Sequence, residues 1–150
     1  MNSYGLIDLH CDTLAEYWKY AHTGNPDTLD DPGRVLSLSN MPKDVHWAQF
    51  YAVFIPDEER GQAAIDCFEK NRANFYRQME KFGDRVAPCR NADDMEKAWA
   101  AGKTAAFLTI ENGSVLAGDL SRVHTLAEQG VRAITLTWNG ENELGSCHTT

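Results

Sequence analysis

His10 and Asp12 stand two apart at the end of a short apolar run, Tyr4-Gly5-Leu6-Ile7-Asp8-Leu9, with Cys11 between them. On a β-strand residues i and i+2 point to the same face, so an imidazole and a carboxylate would project side by side from the strand's C-terminal end. Mixed nitrogen and oxygen donors suit Zn²⁺ and related divalent ions, and the C-terminal ends of barrel strands are where such chemistry is kept. A strand-end His and Asp can equally cap or hydrogen-bond the next loop. Glu111 closes another apolar run, Ala105 to Ile110, just before Asn112 and Gly113. Two such strand ends on one rim of a parallel sheet converge, and a glutamate has two oxygens with which to bridge two metals. A metal pair bridged by a carboxylate and a hydroxide lowers the pKa of water and clamps both the attacking oxygen and a polarised carbonyl. Alone, Glu111 reads as an acceptor for the Asn112-Gly113 turn; together with His10 and Asp12 it reads as a metal ligand and catalytic carboxylate.

The elements that must position these residues alternate between strand and helix. Residues 5 to 11 read as a strand, and Thr13 to Tyr20 as a short helix with Thr13 as a possible N-cap. His22 to Asp44, rich in Gly, Pro, Asp, Asn and Ser, reads as a long loop near the mouth of the site. Ala48 to Ile55 is a near-continuous apolar run ended by Pro56, as expected of a strand buried on both faces. Asp57 to Phe82 reads as one amphipathic helix, with Ala64, Cys67, Phe68, Phe75, Met79 and Phe82 inward and Gly83 as its stop. Asn91 to Ala101 gives a helix with Asn91 as N-cap, Asp93 and Asp94 in its first turn, Gly102 at its end and Trp99 in the core. Ala105 to Ile110 is the third strand, Asp119 to Gln129 a helix closed by Gly130, and Val131 to Thr137 the fourth strand, before a polar loop from Trp138 to Thr150. This alternation implies an α/β fold with parallel strands and right-handed crossovers.

Composition narrows the function classes. A chain of 150 residues, 43% of them hydrophobic, can bury a core. A net charge of −8 without clustered Lys and Arg argues against a nucleic-acid partner. No charged segment followed by an apolar stretch opens the chain, and no window approaches about 18 uninterrupted apolar residues. Neither export nor membrane insertion is signalled, and a cytoplasmic location is expected. Cys11, Cys67, Cys89 and Cys147 lack Cys-X-X-Cys spacing and read as reduced thiols, Cys11 as a small filler facing away from its two neighbours. His22, His46, His124 and His148 are isolated and are not assigned to metal. Gly-rich phosphate loops and a Gly-X-Ser-X-Gly elbow are missing, which leaves nucleotide hydrolysis and serine hydrolysis without a foothold.

Four blocks then carry a specific likeness: Asp8-Leu9-His10-Cys11-Asp12-Thr13-Leu14, Trp47-Ala48-Gln49-Phe50-Tyr51-Ala52-Val53-Phe54, Leu108-Thr109-Ile110-Glu111-Asn112-Gly113 and Leu136-Thr137-Trp138-Asn139-Gly140-Glu141-Asn142. In order and spacing, along essentially the whole chain, they resemble the renal (membrane) dipeptidase family of zinc peptidases, family M19, and its bacterial members without export signals most of all. The resemblance implies a (β/α)8 TIM-barrel-like metal-dependent hydrolase fold with two Zn²⁺ ions per complete site. It implies His10 and Asp12 on one metal, Glu111 bridging both, and hydrolysis of small dipeptides by a metal-bridging hydroxide. Broad dipeptide specificity and a homodimer are also implied. The family's further ligands, two histidines, and later a substrate-binding Arg and an Asp, fall beyond Thr150. Residues 1–150 are therefore expected to be the N-terminal part of a barrel, about its first four β/α units, with the remainder absent from this chain. A typical barrel needs about 250 residues, and half of one leaves sheet edges unpaired.

The chain departs from the family at Trp138, where better-known members carry a histidine that touches the substrate. An indole is neither acid nor base, but its N–H can donate and its ring can wall a pocket, which makes Trp138 a substrate-binding candidate; a packed loop Trp is the other reading. Two alternatives stay open. An amidohydrolase-type metal hydrolase acting on a cyclic amide or ester would usually open with His-X-His, against which Asp12 tells. A non-catalytic binding module that kept the fold but half of the site is the other, and intact His10, Asp12 and Glu111 tell against it.

Overall fold

The computed structural model describes residues 4–14 and 28–148. The helix expected over Thr13 to Tyr20, His22 and the first part of the long loop fall outside the described residues, except for a turn at Thr13 and Leu14. Eight strands and helices follow among the described residues: β1 (Gly5–Cys11), β2 (His46–Phe54), α1 (Gln62–Lys81), β3 (Val86–Pro88), α2 (Ala92–Ala100), β4 (Thr104–Glu111), α3 (Arg122–Glu128) and β5 (Val131–Thr135). Every pairing among these strands is parallel, so the expected α/β class is the one found. β1, β2 and β4 lie side by side, and the far edge of β4 is shared: β3 takes its first half, Thr104 to Ala106, and β5 its second, Leu108 to Glu111.

Alternation along β4 assigns each face. Ala106, Leu108 and Ile110 join Tyr51 and Val53 of β2 in the main core, against Phe68, Phe75 and Met79 of α1. Each large side chain so buried contributes roughly 1.5–3 kcal/mol. Ala105 and Phe107, on the same face as Glu111, join Ala48 and Phe50 in a second cluster under Ala98, Met95 and Trp99 of α2. There Phe50 and Phe107 stack at 4.6 Å, and Trp99 donates its indole N–H to the Trp47 carbonyl at 2.9 Å. Helix α2 thus floors the N-terminal end of the face whose C-terminal end carries Glu111.

Several boundaries move for identifiable reasons. The long helix starts at Gln62 rather than Asp57, because Gly61 takes a φ of 55° at its N-cap and releases Asp57 for other work. β3 is a strand that the sequence pattern does not predict, so that the expected third strand is β4 and the expected fourth is β5; it is only three residues long and ends in proline, too short to show a period. α3 starts after a turn in which Asp119 Oδ1 accepts from both the backbone N–H and the hydroxyl of Ser121. β5 stops at Thr135, since the Leu136 carbonyl accepts instead from Gly113 N–H and Asn142 Nδ2.

Helix α1 also buries amides that a hydrophobic period cannot reveal. Gln78 accepts from Leu29 N–H at 2.7 Å and Asn74 donates to the Leu14 carbonyl at 3.2 Å, which fastens both ends of the segment that follows β1. Further along, Arg85 clamps Asp30 with two bonds of 2.9 and 2.6 Å, and this holds the Asp30 carboxyl below the usual carboxylate range. Because both side chains are partly exposed, Arg85→Ala should cost only about 1 kcal/mol. The depressed carboxyl contributes stability above its unfolded pKa of about 3.9, and that stability is lost as pH falls through the folded value. The difference in urea midpoint between wild type and variant should therefore shrink between about pH 7 and pH 3; an undiminished gap would count against the pair.

Candidate metal centre

The pairing of β1 with β2 slips at the residues of interest. Asp8 pairs with Gln49 but Cys11 with Tyr51, so Leu9 and His10 together face Phe50. Such a bulge re-aims a side chain and leaves a backbone group without a ladder partner. Here the Asp8 carboxylate accepts from the His10 N–H at 3.1 Å. Cys11 packs on the α1 side of the sheet, and burial pushes its thiol up to about 12; it is an inert filler, as expected. Glu111 is the last residue of β4, between Phe54 of β2 and Thr135 of β5.

These elements bring His10, Asp12 and Glu111 together, with one ligand atom from each lying within 4.8 Å of the others. His10 Nε2 is 3.5 Å from Asp12 Oδ1 and 3.7 Å from Glu111 Oε2. Neither separation is a good hydrogen bond. Bonds of about 2.1 Å to a tetrahedral ion would set its donors ~3.4 Å apart, so the spacing fits ligands around one divalent cation. The chemistry of the set, one imidazole and two carboxylates, fits it as well. Burial raises the Glu111 carboxyl, with His10 opposing the shift and Asp12 adding to it. A cation would relieve both the burial penalty and the repulsion from Asp12.

A cavity of about 630 Å³ opens beside His10 and Asp12. Its far wall is the loop containing Arg34 and Leu36, which Thr13 holds in place by donating its hydroxyl to the Leu36 carbonyl at 2.8 Å. Arg34 pairs with Asp31 at 3.8 Å. Trp138 is not on this wall. It is 40% exposed and sets its ring edge-on to Phe54 at 4.7 Å, over the strand end that neighbours Glu111.

The polar residues that support Glu111 carry no motif in the sequence. Asn112 is fully buried and has a φ of 83° and a ψ of 108°, a conformation that costs a non-glycine residue about 1–3 kcal/mol. Its amide meets Ile55, Asp57, Ser114 and Asn142. The available signals were an Asn where the strand turns out and an Asp directly after the Pro56 that follows β2.

Solved structures share this architecture. The dipeptidase AC, a metallopeptidase of family M19, superposes with a TM-score of 0.78 at 18% identity, over 94% of this chain and 45% of that one. A metallopeptidase from Rhodobacter sphaeroides, liganded with a phosphinate mimic of the dipeptide L-Ala-D-Ala, gives 0.76 at 17% identity, over 92% and 46%. An amidohydrolase from Pseudomonas aeruginosa gives 0.59 at 22% identity, over 69% and 30%. The chain therefore spans less than half the length of each of these relatives, and its parallel α/β fold is that of the TIM-barrel-like metallopeptidases. The model of one sequence family, membrane dipeptidase or peptidase family M19, matches residues 1–150, and the chain belongs to that family.

Proposed function

We propose that the complete polypeptide hydrolyses the peptide bond of dipeptides with the help of two zinc ions, and that these 150 residues form about the first four β/α units of its barrel. The observation that carries this reading is the spacing of His10, Asp12 and Glu111, at ligand separation rather than hydrogen-bond distance. His10 and Asp12 would hold one ion, and Glu111 would hold both. When bound, the ions would supply Lewis acidity toward the amide carbonyl and a lowered pKa for the attacking water. The residues contribute a fixed donor set: the bulge aims His10, and burial keeps Glu111 dry enough for its charge to matter. A phosphinate is tetrahedral and anionic where a peptide bond is planar and neutral, so the ligand of the Rhodobacter sphaeroides relative supports attack at a peptide carbonyl here too. The exposed Leu6, Ile7 and Leu9 of β1 would be covered by the later strands.

A panel of dipeptides and cyclic amides offered to the metal-loaded complete polypeptide tests the reading. Dipeptides should turn over and cyclic amides should not; the reverse preference would assign the site to an amidohydrolase-type reaction. Trp138 would form a wall on the substrate side of the site. Trp138→Ala should remove about 1 kcal/mol of aromatic contact and so raise KM roughly five-fold with kcat preserved. An unchanged KM would make it a packed loop residue.

A further inference from the structure

Asn112 directly follows Glu111, and its side-chain amide is used completely. Nδ2 donates to the Ile55 carbonyl at 2.9 Å and to Asp57 Oδ1 at 3.1 Å. Oδ1 accepts from Ser114 N–H at 3.1 Å and from Asn142 Nδ2 at 2.9 Å. Two donors and two lone pairs are the whole capacity of the group. One amide thus joins the end of β2, the turn after β4 and the loop after β5. These segments are pressed close: a Cβ on Gly113 would sit 2.9 Å from the Leu136 carbonyl oxygen, and one on Gly140 would sit 2.7 Å from Asp57 Cγ. Asn142 adds a bond to the Leu136 carbonyl at 2.7 Å and accepts from Leu144 N–H at 2.8 Å, which closes the loop that carries Trp138. A residue needed only for packing would call for neither the positive φ nor four satisfied polar contacts.

We propose that Asn112 is a positioning residue, whose amide fixes the turn behind Glu111 so that the carboxylate stays at ligand distance from His10 and Asp12 while Trp138's loop is held beside it. This rests on the reading of Glu111 as a metal ligand. Asn112 need not touch substrate or metal, since groups that orient a ligand change metal affinity by about 10- to 100-fold when removed. Asn112→Gly relaxes the backbone and deletes the amide. Asn142→Asp, at a partly exposed position, deletes one donor to the same amide and guards against misfolding of the first variant.

The test titrates Zn²⁺ into chelator-stripped wild type, Asn112→Gly and Asn142→Asp forms of the complete polypeptide, measures the melting of each in chelator, and separates kcat from KM. Both variants should bind Zn²⁺ more weakly, Asn112→Gly by about ten-fold or more, with kcat falling beyond any change in KM. The metal-free melt of Asn142→Asp should stay closer to wild type than that of Asn112→Gly, whose lost bonds the relaxed backbone offsets only in part. Unchanged Zn²⁺ affinity in folded variants would overturn the inference and leave the metal-centre reading standing, as would lowered metal-free melts with affinity intact. A wild type that takes up no Zn²⁺ would overturn the metal-centre reading, and the inference with it.

Discussion

Glu111→Gln in the complete polypeptide should reduce dipeptide turnover by at least about 10²-fold, because the loss of groups that merely support a ligand already costs about 10- to 100-fold. Bound metal should fall from two ions per chain to one or none, since an amide oxygen carries no charge with which to bridge two cations. The same substitution should leave the metal-free protein as stable as wild type or more so. Burial raises the Glu111 carboxyl, against the pull of His10 and with a push from Asp12, so the ionised form is disfavoured in the folded chain relative to the unfolded one. A raised carboxyl penalises the fold once pH climbs above the unfolded value of about 4.3, fully so beyond the folded pKa, and the penalty is absent below both. The gain from glutamine should accordingly appear near neutral pH and vanish near pH ~3 in chelator melts. Inactivity together with a metal-free fold that is no less stable is the mark of a residue kept for chemistry. Normal turnover with two ions bound would dismiss Glu111 as a ligand.

The parts of the site legible in the sequence are those with a short period or a short motif. His10 and Asp12 obey the two-residue repeat of a strand, and Glu111 ends an apolar run in the same manner, so their meeting on one rim follows from parallel pairing. The bulge at His10 is not legible, because it depends on how β1 meets a strand far along the chain rather than on local composition. Helix α2 shows its caps clearly, and Asn91 does accept from Asp94 N–H, yet nothing local says that it packs on the face that carries Glu111. The buried amides Asn71, Asn74 and Gln78 of α1 look like surface residues in a helical period, and for Asn74 and Gln78 only the partners in the segment after β1 make sense of them. Asn112 is hidden for the same reason. Its neighbours come from three different strand ends, and a turn signal is all that the local sequence carries.

Stripping the metal from the complete polypeptide should lower its unfolding midpoint by several degrees, and His10→Ala should remove most of that difference. Ions that bind the folded chain alone stabilise it by about 4 kcal/mol per site when present at ~1,000 times the dissociation constant. His10 and Asp12 are about half exposed, at 49% and 48% of their side-chain surface, and the separations within the trio are too long for good hydrogen bonds, so in chelator His10→Ala should melt close to wild type. The variant is thus separated from wild type by metal alone, which a residue serving the core could not be. Binding needs a neutral imidazole and ionised carboxylates, and burial makes the Glu111 carboxyl hold its proton to higher pH than usual. The metal-induced increment should therefore be full at neutral pH and fade as the solution is acidified and protons compete with the ion for its ligands. A His10→Ala form that kept the whole increment, or an increment that persisted unchanged into acid, would place the metal elsewhere. An increment that disappears with either His10 or Glu111 would tie one physical event, capture of a cation between β1 and β4, to both the stability and the chemistry of the barrel.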